Sequence, residues 1–571
     1  MRKRRVIGLF FVMLLLFFGI DGRIYYLSTS SGSVQAAATH GRYTLTISQQ
    51  RGAIYDRNLN LIVNNSVKYV AAVVPMENSA QQMATLLPHV QDQDGLKTRF
   101  EQRQPFTVVV DSPDISVQGV RVYTTAERYG KNALASHITG YVDSTGNGVT
   151  GVERAFNDLL KSYSSTLTET VAVDAKRRVL AGVTASAVSS GNSTGGVVLT
   201  LDAAVQMSAQ AAADKYLKAG AVVVMDVHSG DILASVSEPG YSPLYLSSAL
   251  KSPNSPLVNR AFSAYNLGSV FKTVVACAAL ESGINQTLSY TCKGVVNVAG
   301  RDFHCEKRTG HGKEDMSLGF ANSCNTYFIT LGLKTGANKI LDMAQRFGFG
   351  QKATFAQGLS TDSGALPTAA QLKIPASLAN FSIGQGQLMA TPTQVACAVS
   401  ALANGGLLPT ERLVKGVYNG TKMVTEYPGA VPTRVVSQQI ADTVKGFMIK
   451  TVNEGTGMPA KPKYGGAGGK TSTAETGWVQ NGKAINQAWF AGFYPAATPK
   501  YAIVVVCENG RAGGADAGPV FKQIADDLAS SCGFTPAVNA PVVSTPAVST
   551  PAVSAPAVST PAVSSSRKTL H

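Results

Sequence analysis

The segment that most restricts this chain is its start, MRKRRVIGLFFVMLLLFFGIDGRIYYL, where Arg2, Lys3, Arg4 and Arg5 precede an unbroken apolar run from Val6 to Ile20. Basic residues are retained on the cytoplasmic side of a membrane, so everything after the run is expected outside the cytoplasm. Fifteen residues is short for a span of roughly 20, and a cleaved signal peptide is the competing reading. The Ala-x-Ala pattern at Ala36 to Ala38 lies 18 residues past the run, too far for ordinary processing. Ile24, Tyr25, Tyr26 and Leu27 carry the segment into the interface. The expectation is a cytoplasmic tail over 1–5, an uncleaved single-pass anchor over 6–27 and an extracytoplasmic remainder.

That remainder has room for two or three domains, since the chain has 571 residues and 44% of them are apolar. A formal charge of +15 suits an acidic partner such as nucleic acid, anionic lipid or an anionic wall polymer. The chain carries no nucleic-acid motif, and an exported domain meets wall polymer and lipid headgroups first. Residues 40–190 read as an irregular pedestal of short strands and turns, opened by TISQQRGAIYDRNLNLIVNN. AVSSGNSTGG, residues 187–196, reads as a Ser/Gly-rich linker.

A second domain is expected over 197–533. VVLTLDAAVQMSAQAAADKYL is a strand followed by an amphipathic helix, and AVVVMDVHSGDILASVSEPGY is two β-branched runs around a turn, a hairpin signature. An Ala-rich helical middle, about 270–410, separates the hairpin from the late strand candidates QAWFAGFYP and KYAIVVVCE. Strands at both ends with helices between predict an α+β fold, one antiparallel sheet with helices on both faces. Over 534–571 a Pro-Ala-Val-Ser repeat recurs every five residues, at Pro546, Pro551, Pro556 and Pro561. Proline at that spacing opposes sheet and helix, so the tail is expected to be extended and disordered.

The chemistry is expected at YNLGSVFKTVVACAALESG. Ser269 opens a helical pattern and Lys272 follows one turn later on the same face. A serine hydroxyl attacks well only when a base takes its proton, and a desolvated lysine amine suits that task. The helix N-terminus favours the negative charge that develops. By itself such a pair is usually an N-cap serine beside a solvated lysine. Here Ser323-Cys324-Asn325 follows about fifty residues on, and then GGKTSTAET with Lys470, Thr471, Ser472 and Thr473 ahead of two strands. A hydroxyl with an amide, and a second lysine on a strand, are what relaying a proton and holding a carboxylate require.

With these motifs in this order the chain resembles the penicillin-binding proteins, specifically the class B transpeptidases that crosslink peptidoglycan. The resemblance extends to RGAIYDRN and GVTGVERAFNDLL in the pedestal, and to TLDAAVQ, GDILASVSEPGY, SIGQGQLMATPTQVA and ANGG beyond it. It implies the penicillin-binding/transpeptidase fold. No N-terminal segment large enough for a glycosyltransferase is seen, which sets the chain apart from the bifunctional class A.

Carried onto matching positions, the resemblance makes Ser269 the nucleophile toward the D-Ala-D-Ala carbonyl of a stem peptide and Lys272 its base. Ser323 and Asn325 would pass protons and orient the substrate, Lys470 and Thr471 would hold its carboxylate, and the backbone N–H groups of Ser269 and Thr473 would form the oxyanion hole. Stem peptides, β-lactams, the cytoplasmic membrane and a SEDS-type membrane glycosyltransferase are the implied partners. A D,D-carboxypeptidase, or a β-lactam-binding sensor or hydrolase of the same fold, is the alternative. Ser472 departs from the family's usual glycine, and its β-carbon is expected to crowd the strand against the serine helix and reshape substrate or β-lactam access.

Seven cysteines leave at least one unpaired. Cys277, Cys397 and Cys507 lie in apolar runs and read as buried free thiols. Cys292, Cys305, His311 and Cys324 offer three thiols and an imidazole within 33 residues, a closed set for structural zinc. The rival is a Cys292–Cys305 disulfide. Some elongation-type class B enzymes carry zinc next to the Ser-x-Asn motif, and this sequence resembles them at the GHG histidine and at the cysteine inside the motif.

Overall fold

The computed structural model describes residues 2–29, 41–131, 133–173, 186–480 and 482–534. The Pro-Ala-Val-Ser repeats of the tail lie outside these described residues. The N-terminal helix, Arg2–Thr29, continues past the apolar run. Its segment Lys3–Tyr26 has 24 residues, a mean hydropathy of 2.0 and no buried side chains. At 1.5 Å per residue it is about 36 Å long, enough for a bilayer core of roughly 30 Å.

The pedestal has two antiparallel three-stranded sheets. One orders Arg42–Gln50, Ser165–Ala172 and Ser186–Gly191. The other places Ser66–Val73 between Phe106–Val110 and Val120–Glu127. The predicted linker is therefore half strand. SAVSSG buries no side chain, since every residue of it is exposed, but backbone pairing along Ser165–Ala172 holds it in the sheet.

Glu153 of the GVERAF segment is fully buried and anchors the pedestal. Arg51 donates to it at 2.9 Å, Arg128 at 2.6 Å and the Tyr129 hydroxyl at 2.8 Å. Two guanidinium groups and a phenol thereby offset the desolvation of one carboxylate. Ala53–Tyr55, next to Arg51, pairs in parallel with Gly196–Leu199, which pairs antiparallel with Val414–Tyr418. One small sheet thus welds pedestal to catalytic domain.

The catalytic domain is built on a five-stranded antiparallel sheet ordered Ile232–Glu238, Gly220–Asp226, Tyr501–Glu508, Lys483–Tyr494 and Gly468–Gln480. Strands buried on both faces read as continuous rather than alternating apolar runs, which explains AVVVM and AIVVVC. Val222, Val224, Ile503 and Val505 face the helices Ala203–Tyr216 and Gly518–Asp527. Ala221, Val223, Met225, Val504 and Val506 face Lys272–Glu281, Pro392–Ala403 and Gln438–Glu454. The expected α+β architecture holds. The helical middle is less uniform than expected, because Tyr290–Cys292 pairs with Gly312–Glu314 and Val295–Val298 with Arg301–His304, two small ribbons inside it. Every residue of Pro392–Ala403 is buried, and the helix starts on a capping box in which Thr391 and Gln394 satisfy each other's backbone N–H.

Candidate active site

Gly268 has φ +60° and donates its N–H to the Gly384 carbonyl at 2.9 Å, which turns the chain into a 3₁₀ segment, Gly268–Phe271. The α-helix proper, Lys272–Glu281, follows. Ser269 is thus on the entry turn and lines a cleft of about 870 Å³, shared with Ser323, Asn325, Thr471, Ser472 and Thr473. Lys272, one turn on, is completely buried. Its Nζ donates to the Ser323 carbonyl at 2.7 Å, to Asn325 Oδ1 at 2.7 Å and to Ser323 Oγ at 3.3 Å. Burial pushes its pKa down to about 8, partly offset by the negative fields of Cys324, Cys305, Glu306 and Glu314. These bonds tie the first motif to the second; apo sites often tighten the nucleophile–base contact only once substrate is bound.

The Ser-Cys-Asn motif joins two helices, Met316–Ala321 and Asn325–Thr335. Ser323 has φ +55°, an uncommon left-handed conformation for a residue with a β-carbon. It is held by its N–H on the Phe320 carbonyl and by the Cys324 N–H on the Gly319 carbonyl. This sharp turn lets Ser323 and Asn325 both reach Lys272, while Cys324 is fully buried on the other side.

On the third motif the strand's period of two divides the roles. Thr471 and Thr473 line the cleft, and Thr471 Oγ1 lies 2.6 Å from Thr456 Oγ1. Lys470 is fully buried behind the cleft wall, its Nζ donating to the Thr471 carbonyl at 2.9 Å and 5.7 Å from the Phe320 ring centre. Burial first, then the charge of Lys272, holds its pKa well below the ordinary lysine value. Lys470 meets the cleft wall through its bond to the Thr471 carbonyl. Ser472 is buried and donates to the Leu267 carbonyl at 2.8 Å.

Cys292, Cys305, His311 and Cys324 place their ligand atoms within 4.8 Å of one another. His311 Nδ1 is 3.7 Å from Cys292 Sγ and 3.4 Å from Cys305 Sγ, and Cys305 Sγ is 3.9 Å from Cys324 Sγ. Bonds of about 2.3 Å from zinc to sulfur in a tetrahedron give S···S edges of roughly 3.8 Å, so the donor set suits that ion and these three contacts are near its spacing. The contact with Cys324 lowers the Cys305 thiol, assisted by the backbone N–H of Asn325, and raises Cys324 itself. Cys292 and Cys305 are not joined in a disulfide. Cys277, Cys397 and Cys507 are buried free thiols, as their apolar settings predict.

The cleft also presents residues to which the motifs gave no role: Asn266, Glu306, Arg308, Asn380, Gln385 and Glu475. Glu306 and Arg308 come from the loop between Cys305 and His311, and Gln385 from SIGQGQ, so only their proximity to motif residues marked them in the sequence.

Residues 220–526 match the penicillin binding protein transpeptidase domain, and residues 46–194 the penicillin-binding protein dimerisation domain. The chain is 29% identical to the peptidoglycan D,D-transpeptidase MrdA of Acinetobacter baumannii, over 82% of this chain and 80% of that one. It is 28% identical to the stage V sporulation protein D of Bacillus subtilis, over 94% and 87% of the two chains. The solved structure of penicillin-binding protein A from M. tuberculosis, an imipenem acyl-enzyme complex, has the same fold, with a TM-score of 0.61, 23% identity and coverage of 84% and 98%. A match across more than half of the chain, with the ordered motifs gathered in one cleft, means that this protein belongs to the penicillin-binding protein transpeptidase family.

Proposed function

We propose that the protein is a membrane-anchored serine D,D-transpeptidase that crosslinks peptidoglycan stem peptides through an acyl-enzyme on Ser269. Ser269 Oγ attacks the carbonyl between the two terminal D-alanines. The peptide C–N bond breaks, the terminal D-alanine leaves as an amine after gaining a proton, and an ester to Ser269 remains. The amine of a neighbouring stem peptide then attacks the ester, forming the crosslink and releasing the serine. Lys272 takes the serine proton, Ser323 and Asn325 hold Lys272, the Ser323 hydroxyl carries the proton onward, and Thr471 with Thr473 faces the substrate's carboxylate end. Lys470 braces the Thr471 carbonyl from behind the strand. The observation that carries this reading is a completely buried lysine amine, its pKa lowered to about 8, bonded to the second motif beside a cleft-lining serine. β-Lactams acylate the same hydroxyl in this reading. Labelling of the full-length protein with a fluorescent penicillin, followed by intact mass, tests it. A single penicilloyl adduct that disappears in Ser269→Ala is expected, and an adduct on another side chain defeats it.

Zinc held by Cys292, Cys305, His311 and Cys324 belongs to the same reading, as a structural ion that fixes the backbone between Ser323 and Asn325. Metal analysis of the purified protein is expected to give one zinc per chain. Cys324→Ser is expected to lose it, with a lower melting temperature. Wild-type protein with no metal and full thermal stability defeats the proposal. The helix over Lys3–Tyr26 is read as a single-pass anchor with the catalytic domain outside the cytoplasm. A SEDS-type glycosyltransferase docked on anchor and pedestal rests on the family resemblance alone.

A further inference from the structure

The three residues that lead into Ser269 are each held from a different direction. Trp489 Nε1 donates to the Asn266 carbonyl at 2.9 Å, Ser472 Oγ donates to the Leu267 carbonyl at 2.8 Å, and the Gly268 N–H donates to the Gly384 carbonyl at 2.9 Å. Ser472 and Trp489 are directly opposite each other on adjacent strands. Two consecutive carbonyls of the nucleophile's approach are therefore gripped by one cross-strand pair. Ser472 is 3% exposed, and its hydroxyl sits where a β-carbon on Gly268 would stand, 2.3 Å from that position. The absent side chain at 268 and the hydroxyl at 472 are complementary shapes.

We propose that Ser472 is a positioning residue, whose hydroxyl straps the third-motif strand to the turn carrying the nucleophile and so sets the separation between Ser269 and Thr473. Those two residues supply the backbone N–H groups read above as the oxyanion hole, so the inference rests on that reading and deepens it. A strap of this kind acts on the acylation step. A small error in the spacing of two fixed donors weakens the transition state more than ground-state binding.

The test is penicillin acylation of full-length wild type, Ser472→Ala and Ser472→Gly in detergent, resolved into the dissociation constant of the non-covalent complex and the first-order acylation rate. Both variants are expected to lose roughly tenfold in the acylation rate, with the dissociation constant within twofold of wild type and melting temperatures close to wild type. Acylation rates within twofold of wild type overturn the strap. So does a loss that falls on the dissociation constant or follows a fall in melting temperature, because Ser472 is then a substrate contact or a stability residue. Failure of wild type itself to take an adduct on Ser269 is the separate failure of the proposed function.

Discussion

The pedestal and the catalytic cleft both bury charge, and they treat it in opposite ways. Glu153 has no solvent exposure and is met by Arg51, Arg128 and Tyr129. Lys272 and Lys470 are equally buried, yet their hydrogen bonds go to carbonyls, an amide and a hydroxyl, and among the described residues neither is ion-paired to a carboxylate. The first arrangement offsets desolvation with opposite charge and gains a rigid joint. The second leaves desolvation only partly opposed, by the fields of Cys324, Cys305, Glu306 and Glu314, which moves the Lys272 amine toward the neutral form that the proposed base requires. The same desolvation is thus met by opposite charge in direct contact in one place and by neutral hydrogen-bond partners in the other.

The contrast is most exposed by Lys272→Met. Acylation by penicillin is expected to fall by about 10³-fold, while the melting temperature holds or rises, because an apolar chain of similar size replaces an amine buried without an ion pair. A clear loss of stability would show that Lys272 is structural after all. Glu153→Gln is the opposite case. It leaves two partly buried guanidinium groups without their carboxylate and is expected to cost about 3–5 kcal/mol in denaturant unfolding, with little change in acylation per folded molecule.

The pH dependence of acylation sharpens the same point. Lys272 works as the neutral amine and its pKa is lowered to about 8, so the protonated, inactive form dominates below that value. The rate is expected to rise roughly tenfold per pH unit below 8 and to level off above it; a flat profile between pH 6 and 8 would assign the base elsewhere. The smallest expected effect is at a neutral buried cap. Thr391→Ala removes half of the capping box of Pro392–Ala403 and is expected to cost about 1 kcal/mol by thermal unfolding, again with acylation intact.

Much of the site was legible because its chemistry is written in short motifs. Ser269 and Lys272 are one helical turn apart, Ser323 and Asn325 flank a single residue, and Lys470 to Thr473 are consecutive. Less legible was which way each side chain would turn. The sequence gives Lys470 a place in the motif but not its full burial, with its amine on the Thr471 carbonyl. Cys324 lies between two catalytic side chains in sequence but is withdrawn from them by the positive φ of Ser323. The linker at 187–196 became partly strand because its pairing partner, Ser165–Ala172, offered backbone groups that composition does not reveal.

Ser472 marks the boundary between the two sources of information. That a serine stood at this position was readable in the sequence, which raised the expectation that its β-carbon would crowd the serine helix; that its hydroxyl would bond to the Leu267 carbonyl was not readable. By itself the sequence determined the order of the three motifs, the apolar N-terminal segment and the α+β plan, because residue type and short-range periodicity carry those. Only the tertiary structure decided how reactive the groups are. Burial of Lys272, the grip on residues 266–268 and the closeness of four metal-ligand side chains all depend on neighbours far away in the chain, and desolvation and distance are properties of the packed molecule rather than of any segment.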